Sequence, residues 1–94
     1  MNKYESVIII SSNLEEVVVN DLIKKFETII NKAGKVESVE NVGRKKLAYE
    51  IKKQKEGIYV IYTFEAEADL ITELERNYRI TDNVMKFMTI RKED

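Results

Sequence analysis

The chain has 94 residues, sixteen basic and seventeen acidic, for a net charge of −1, and it contains no cysteine, histidine or proline. That length holds one core, able to bury roughly 60–70% of the unfolded surface; without cysteine or histidine there is no disulfide, no thiolate or imidazole metal site and no imidazole for acid–base work. The early apolar run Val7-Ile8-Ile9-Ile10 is too short for a signal core or a membrane span, so a soluble intracellular chain is expected.

Tyr4 to Ile10, rich in Val and Ile, reads as a first strand, and Ser11-Ser12-Asn13 breaks it. Asn13 with Glu16 three residues later suggests a capping box. The helix that follows carries Val18, Leu22, Phe26, Ile29, Ile30 and Ala33 as one stripe at helical spacing, with Lys32 in its last turn, where the helix dipole favours a cation. Gly34 is expected to stop it in a left-handed conformation.

A second strand spans Val36 to Ile51, longer than most. Its apolar parity changes: Val36 and Val42 are even, whereas Val39, Leu47, Tyr49 and Ile51 are odd. One extra residue near Gly43 would repair the register, so a bulge is predicted there, able to re-aim Arg44, Lys45 and Lys46. Leu47, Tyr49 and Ile51 would then share one face. Lys52 to Gly57 forms the turn, with Gly57 at its flexible position. Ile58 to Phe64 is a third strand, apolar on both faces like the first, as central strands are. A second helix spans Ala68 to Arg79 with Leu70, Ile71, Leu74 and Tyr78 facing in; Arg79 to Asn83 is a loop, and Val84 to Lys92 the last strand.

This split βαβ order is expected to set strands one and three side by side and parallel, with two and four at the edges and both helices on one face. The helix-free face would then show Val7, Ile9, Tyr59, Ile61, Met88 and Ile90, an apolar patch large enough to imply a protein partner.

Charge is unevenly spread. Arg44, Lys45, Lys46, Lys52, Lys53 and Lys55 place six of the sixteen basic residues within twelve positions, and Lys3, Lys86, Arg91 and Lys92 are expected to extend them. Acidic residues gather around the helices: Glu15, Glu16, Asp21 and Glu27, then Glu67, Asp69, Glu73 and Glu75. A polarised molecule with a basic margin for a polyanion follows, against the plainer reading of solvated edges that simply carry charge. Catalysis finds no support: Ser11 and Ser12 lack a histidine base, and Gly34, Gly43 and Gly57 lie too far apart for a phosphate loop. The RNA-recognition signature on a third strand fails as well. Glu56-Gly57-Ile58-Tyr59 lacks the basic, first aromatic and small residues, so bases are not expected to stack across the sheet. A rival is a non-enzymatic protein–protein module forming homo-oligomers sheet on sheet.

Gly43-Arg44-Lys45-Lys46-Leu47-Ala48-Tyr49-Glu50-Ile51-Lys52 resembles the signature of the bacterial small-subunit ribosomal protein six family: Gly, any residue, a basic and a polar residue, Leu, Ala or Ser, Tyr, any residue, Ile, and a basic residue. Tyr4-Glu5 resembles the family's opening strand, Glu56-Gly57 its turn, and Arg79-Ile80-Thr81-Asp82-Asn83-Val84 its link into the last strand. The resemblance implies a ferredoxin-like βαββαβ fold of the α+β class over residues 1–94, with a four-stranded antiparallel sheet and two helices on one face. It implies a structural, non-enzymatic protein of the small ribosomal subunit, in the cytoplasm, that binds small-subunit ribosomal RNA without a cofactor and pairs with small-subunit ribosomal protein eighteen. Lys46 departs from the Arg or polar residue often found there, keeping charge but losing bidentate phosphate geometry. The sequence ends at Asp94, short of the tail some members carry.

Overall fold

The structure, a computed structural model, describes residues 1–92. The elements run β1 (Asn2–Ser11), α1 (Glu16–Ala33), β2 (Gly34–Ile51), β3 (Gln54–Ala66), α2 (Ala68–Ile80) and β4 (Val84–Lys92). The sheet order is β2-β3-β1-β4 and every pairing is antiparallel, β1 with β3 included. The expected parallel pairing of strands one and three is therefore corrected. The crossover through α1 makes β1 and β2 run the same way, and β3 enters the gap between them in the opposite sense. The placement of β2 and β4 at the edges is as expected.

Alternation sorts the central strands. Tyr4, Ile8 and Ile10 of β1 and Ile58, Val60, Tyr62 and Phe64 of β3 are buried against Val19, Phe26 and Ile30 of α1 and Leu70, Leu74 and Tyr78 of α2. Phe26 and Tyr78 meet edge to face at 4.8 Å between ring centroids, joining the helices. A serine lies in this core. Ser6 is fully buried, and its hydroxyl is 2.9 Å from the Tyr78 hydroxyl and accepts from Thr89 Oγ1 at 3.0 Å, so its polarity is satisfied.

The expected α1 stripe holds at Leu22, Phe26, Ile29 and Ile30 and differs at its two ends. Val19 is buried, whereas Val18 is 38% exposed and Ala33 lies open. The cap differs too. Glu15, not Asn13, occupies the N-cap, without a side-chain bond, and the Asn13 backbone N–H donates to Ser11 Oγ at 3.4 Å in the preceding turn. The helix thus starts later than a cap at Asn13 would give. Gly34 is extended, not left-handed, and opens β2; a Cβ there would come within 2.5 Å of the Glu65 carbonyl oxygen, so close approach to β3 sets its requirement for glycine.

Eighteen extended residues would reach about 60 Å, yet the molecule's longest dimension is 37 Å. β2 therefore bends, and its register shows where. Shifts fall between Val36 and Ser38, between Asn41 and Gly43, and between Lys46 and Ile51. The second, with Gly43 at φ +96, is the expected bulge. The first, at Glu37, explains why Val36 and Val39 both pack on the core despite opposite parity. In the third, residues 47–50 oppose Lys55 alone.

Candidate nucleic-acid interface

The hairpin joining β2 to β3 carries the basic cluster. Its turn is the pair Lys52-Lys53, at φ 48 and 64, and β3 begins at Gln54. Positive φ at both central residues is the two-residue hairpin pattern that matches strand twist. Gly57, expected at the turn, is instead a buried strand residue opposite Ser11 and Lys45, where a Cβ would strike Ile9 Cγ2 and Met85 Cε. Glycine is needed there for packing.

Past Lys46 the hairpin curls over the end of the sheet. Tyr49 of β2 accepts a 2.7 Å bond from Lys86 Nζ of β4, although β3 and β1 lie between those strands. The same ammonium sits 5.2 Å from the Tyr49 ring centroid, and the hydrogen bond to Tyr49 raises its pKa. Lys52 Nζ lies 3.5 Å from the Asp82 carbonyl oxygen, and Arg44 donates to the Ser12 carbonyl oxygen at 3.1 Å. The wide bulge breaks alternation, so Leu47, Tyr49 and Ile51 do not share a face: Leu47 is 7% exposed, Tyr49 61%, and Ile51 intermediate.

The geometry brings seven of the candidate cations to one end of the molecule: Arg44, Lys45, Lys46, Lys52, Lys53, Lys55 and Lys86, all exposed. Strand alternation divides the triplet. Arg44 pairs with Ile58 on the helix side, Lys45 with Gly57 on the helix-free side, and Lys46 with Glu56. Among the described residues none of these seven pairs with a carboxylate. Lys3, Arg91 and Lys92 stand at the opposite end of the sheet, where Lys3 pairs with Lys92 in register. They are engaged there: Lys3 with Glu37 at 3.4 Å, Lys92 with Glu5 at 3.4 Å, and Arg91 with Asn2 Oδ1 at 2.8 Å. One continuous basic margin is thus replaced by two groups, one without carboxylate partners among the described residues and one in which Lys3 and Lys92 pair with Glu37 and Glu5.

The expectation of acidic helices also changes. α1 carries Glu16, Asp21 and Glu27 against Lys24, Lys25 and Lys32, and α2 carries Asp69, Glu73 and Glu75 against Arg76 and Arg79. Glu15 and Glu67 occupy the N-cap positions, where the helix dipole favours an anion. Glu73 accepts from Arg76 at 2.8 Å, which lowers its pKa.

The helix-free face carries the six apolar candidates. Val7 pairs with Ile61 and Met88, Ile9 with Tyr59, and Ile90 with Glu5. Val7, Tyr59 and Ile61 are half-buried, Met88 is 57% exposed and Ile90 45%. Ile9 is buried, a correction to its expected exposure, because it packs over Gly57. Val7, Ile9, Tyr59, Lys86 and Met88 line a shallow depression. Among the described residues no group of three or more carboxylates could hold a metal, and no helix is long and apolar enough to cross a membrane.

Sequence reasoning missed Gln54, which holds the hairpin to the turn after β1. Its Oε1 accepts from Ser11 Oγ at 3.1 Å, Ser12 N at 3.1 Å and Ser12 Oγ at 3.3 Å. A lone glutamine in a charged stretch gives no periodic signal.

Comparison with known proteins adds the remaining findings. A family model described as Ribosomal protein S6 matches residues 3–91. The small ribosomal subunit protein bS6 of Alkaliphilus oremlandii is 48% identical over 93 residues, covering 99% of each chain. The protein of the same name from Clostridium acetobutylicum is 44% identical over 94 residues, again covering 99% of each. The crystal structure of 30S ribosomal protein S6 from Thermotoga maritima superposes with a TM-score of 0.93 at 36% identity, covering 97% of this chain and 87% of that one.

Proposed function

We propose, on the premise that the chain belongs to the ribosomal protein S6 family, that it is a structural protein of the small ribosomal subunit that binds small-subunit ribosomal RNA through its hairpin end. Its work is recognition, without chemistry, in keeping with a structural, non-enzymatic family. It acts in the cytoplasm as part of the ribosome. The observation that carries the reading is the cluster of seven exposed cations at one end, unpaired with carboxylates among the described residues, on a chain whose net charge is −1. Such a cluster positions a protein on phosphates by shape. The tip supports this. Two lysines hold positive φ where asparagine and glycine are preferred, and local strain of that kind is retained where the side chain has a task.

Small-subunit ribosomal protein eighteen is the proposed partner of the apolar helix-free face, through Val7, Ile9, Tyr59, Ile61, Met88 and Ile90. It would supply further RNA contacts and share the ordering cost of assembly. Lys3, Arg91 and Lys92 are proposed as secondary RNA contacts, since each must first leave its present partner.

Replacing Arg44, Lys45 and Lys46 by Ala tests the reading. With partner present, binding to central-domain RNA should weaken, and each lost phosphate contact should flatten the log–log salt dependence by about one unit. Unchanged affinity and slope would remove these residues from the interface. A stable dimer at micromolar concentration that ignores RNA would favour the homo-oligomer instead.

A further inference from the structure

The hairpin's cations are held by polar contacts at its base. Beyond Lys46↔Glu56 the regular pairing lapses until Ile51↔Gln54, so the ladder alone does not fix the tip's direction. At that point Gln54 reaches back to the turn after β1. Its single oxygen takes three donors, at 3.1, 3.1 and 3.3 Å, all from Ser11 and Ser12. Ser11 is itself buried, so its hydroxyl is a fixed anchor. Ser12 is gripped on both sides of its Cα: its N–H donates to Gln54 on β3, and its carbonyl accepts from Arg44 on β2. Both arms of the hairpin are thereby tied to one residue of the body.

We propose that Gln54 is a positioning residue: it latches the hairpin to Ser11 and Ser12 and so sets the direction in which Lys52, Lys53 and Lys55 are presented. This rests on the nucleic-acid reading above and assigns a role there to a residue that carries no charge. A precise array of cations releases counterions together, whereas a swinging one meets fewer phosphates at once. An uncharged-to-uncharged change at Gln54 should then alter a purely electrostatic observable.

The experiment uses the full chain and a transcript of the central domain of the small-subunit ribosomal RNA, with the proposed partner, small-subunit ribosomal protein eighteen, present in every RNA titration. In the free protein, Gln54→Leu should shift and broaden the amide resonances of residues 44–56, while those of α1, α2 and β4 beyond Lys86 stay in place. Gln54→Glu keeps an acceptor oxygen at the same reach and should hold the hairpin resonances near their wild-type positions. With RNA, Gln54→Leu should weaken binding about tenfold and flatten the log–log salt slope by about two units, although no charge is removed. Hairpin resonances that stay fixed in the Leu variant, or move equally in both variants, would overturn the latch. So would a loosened hairpin with an unchanged salt slope. A wild-type protein that shows no salt-dependent RNA binding overturns the nucleic-acid reading itself, and is told apart because Gln54 is then intact.

Discussion

At the scale of single residues, Lys53 and the buried tyrosines make opposite kinds of statement. Lys53 sits at φ 64, a conformation that costs a side-chain-bearing residue roughly 1–2 kcal/mol. Lys53→Gly removes that strain but loosens the unfolded chain, so a net gain of about 0.5–1 kcal/mol is expected, read as a higher denaturant midpoint. The same variant should bind RNA more weakly, with a salt slope flatter by about one unit. Stability and binding should therefore part company at this position. Tyr62 and Tyr78 belong to the core. Burial pushes both phenols above their ordinary value of 10.0, with the Ser6 hydrogen bond partly offsetting the rise at Tyr78. The unfolded chain gives up these protons first, so their contribution is fully present below pH 10 and declines above it. Each phenol should cost about 1.4 kcal/mol per pH unit in that window. Urea midpoints between pH 9 and 11.5 should show the decline, and Tyr78→Phe should make it about half as steep.

At the scale of elements, α1 offers a direct comparison. Val17, Val18 and Val19 are three equivalent side chains in a row, 60%, 38% and 4% exposed. Val19→Ala should cost about 2 kcal/mol through lost burial and the void it leaves, whereas Val18→Ala should stay within about 0.5 kcal/mol of wild type. Thermal or chemical denaturation of the pair decides which face packs. The run of valines also shows why the stripe was misread at its first turn while Leu22, Phe26, Ile29 and Ile30 were placed correctly: three identical side chains in a row give no periodic signal to choose between them. The start of β4 was readable because Thr81-Asp82-Asn83 punctuates it and the residues from Val84 alternate. The bulge beside Gly43 was readable because apolar parity flips there. The turn was misplaced because a glycine near a hairpin suggests the bend itself, and here Gly57 instead makes room for Ile9. The curl of the hairpin and the grip of Gln54 arise from contacts between residues some thirty to forty positions apart, which no local pattern records.

At the scale of the whole molecule, the two faces and two ends of the sheet divide its surfaces. Helices close one face; the other presents Met88 and Ile90 on β4, with Val7 on β1 and Tyr59 on β3 beyond them. Met88→Glu should leave stability within about 0.5 kcal/mol, since the side chain is 57% exposed. If the proposed partner, small-subunit ribosomal protein eighteen, covers this face, the variant should weaken that association by about tenfold or more, because a carboxylate would have to be dehydrated at the contact. Calorimetric titration with the partner checks this, and full affinity would place the partner elsewhere.

The outer margin of β2 has a consequence for the life of the free chain. Eighteen unshielded residues on a sheet boundary would ordinarily invite a second strand to add on and start a fibre. Here offsets at Glu37, at Val42 and after Lys46 interrupt the even spacing of hydrogen-bonding groups. An incoming strand would find only short matching stretches, and Lys35, Lys45 and Lys46 add repulsion between copies. The same irregularities that steer the basic hairpin thus guard the unassembled protein against polymerising with itself.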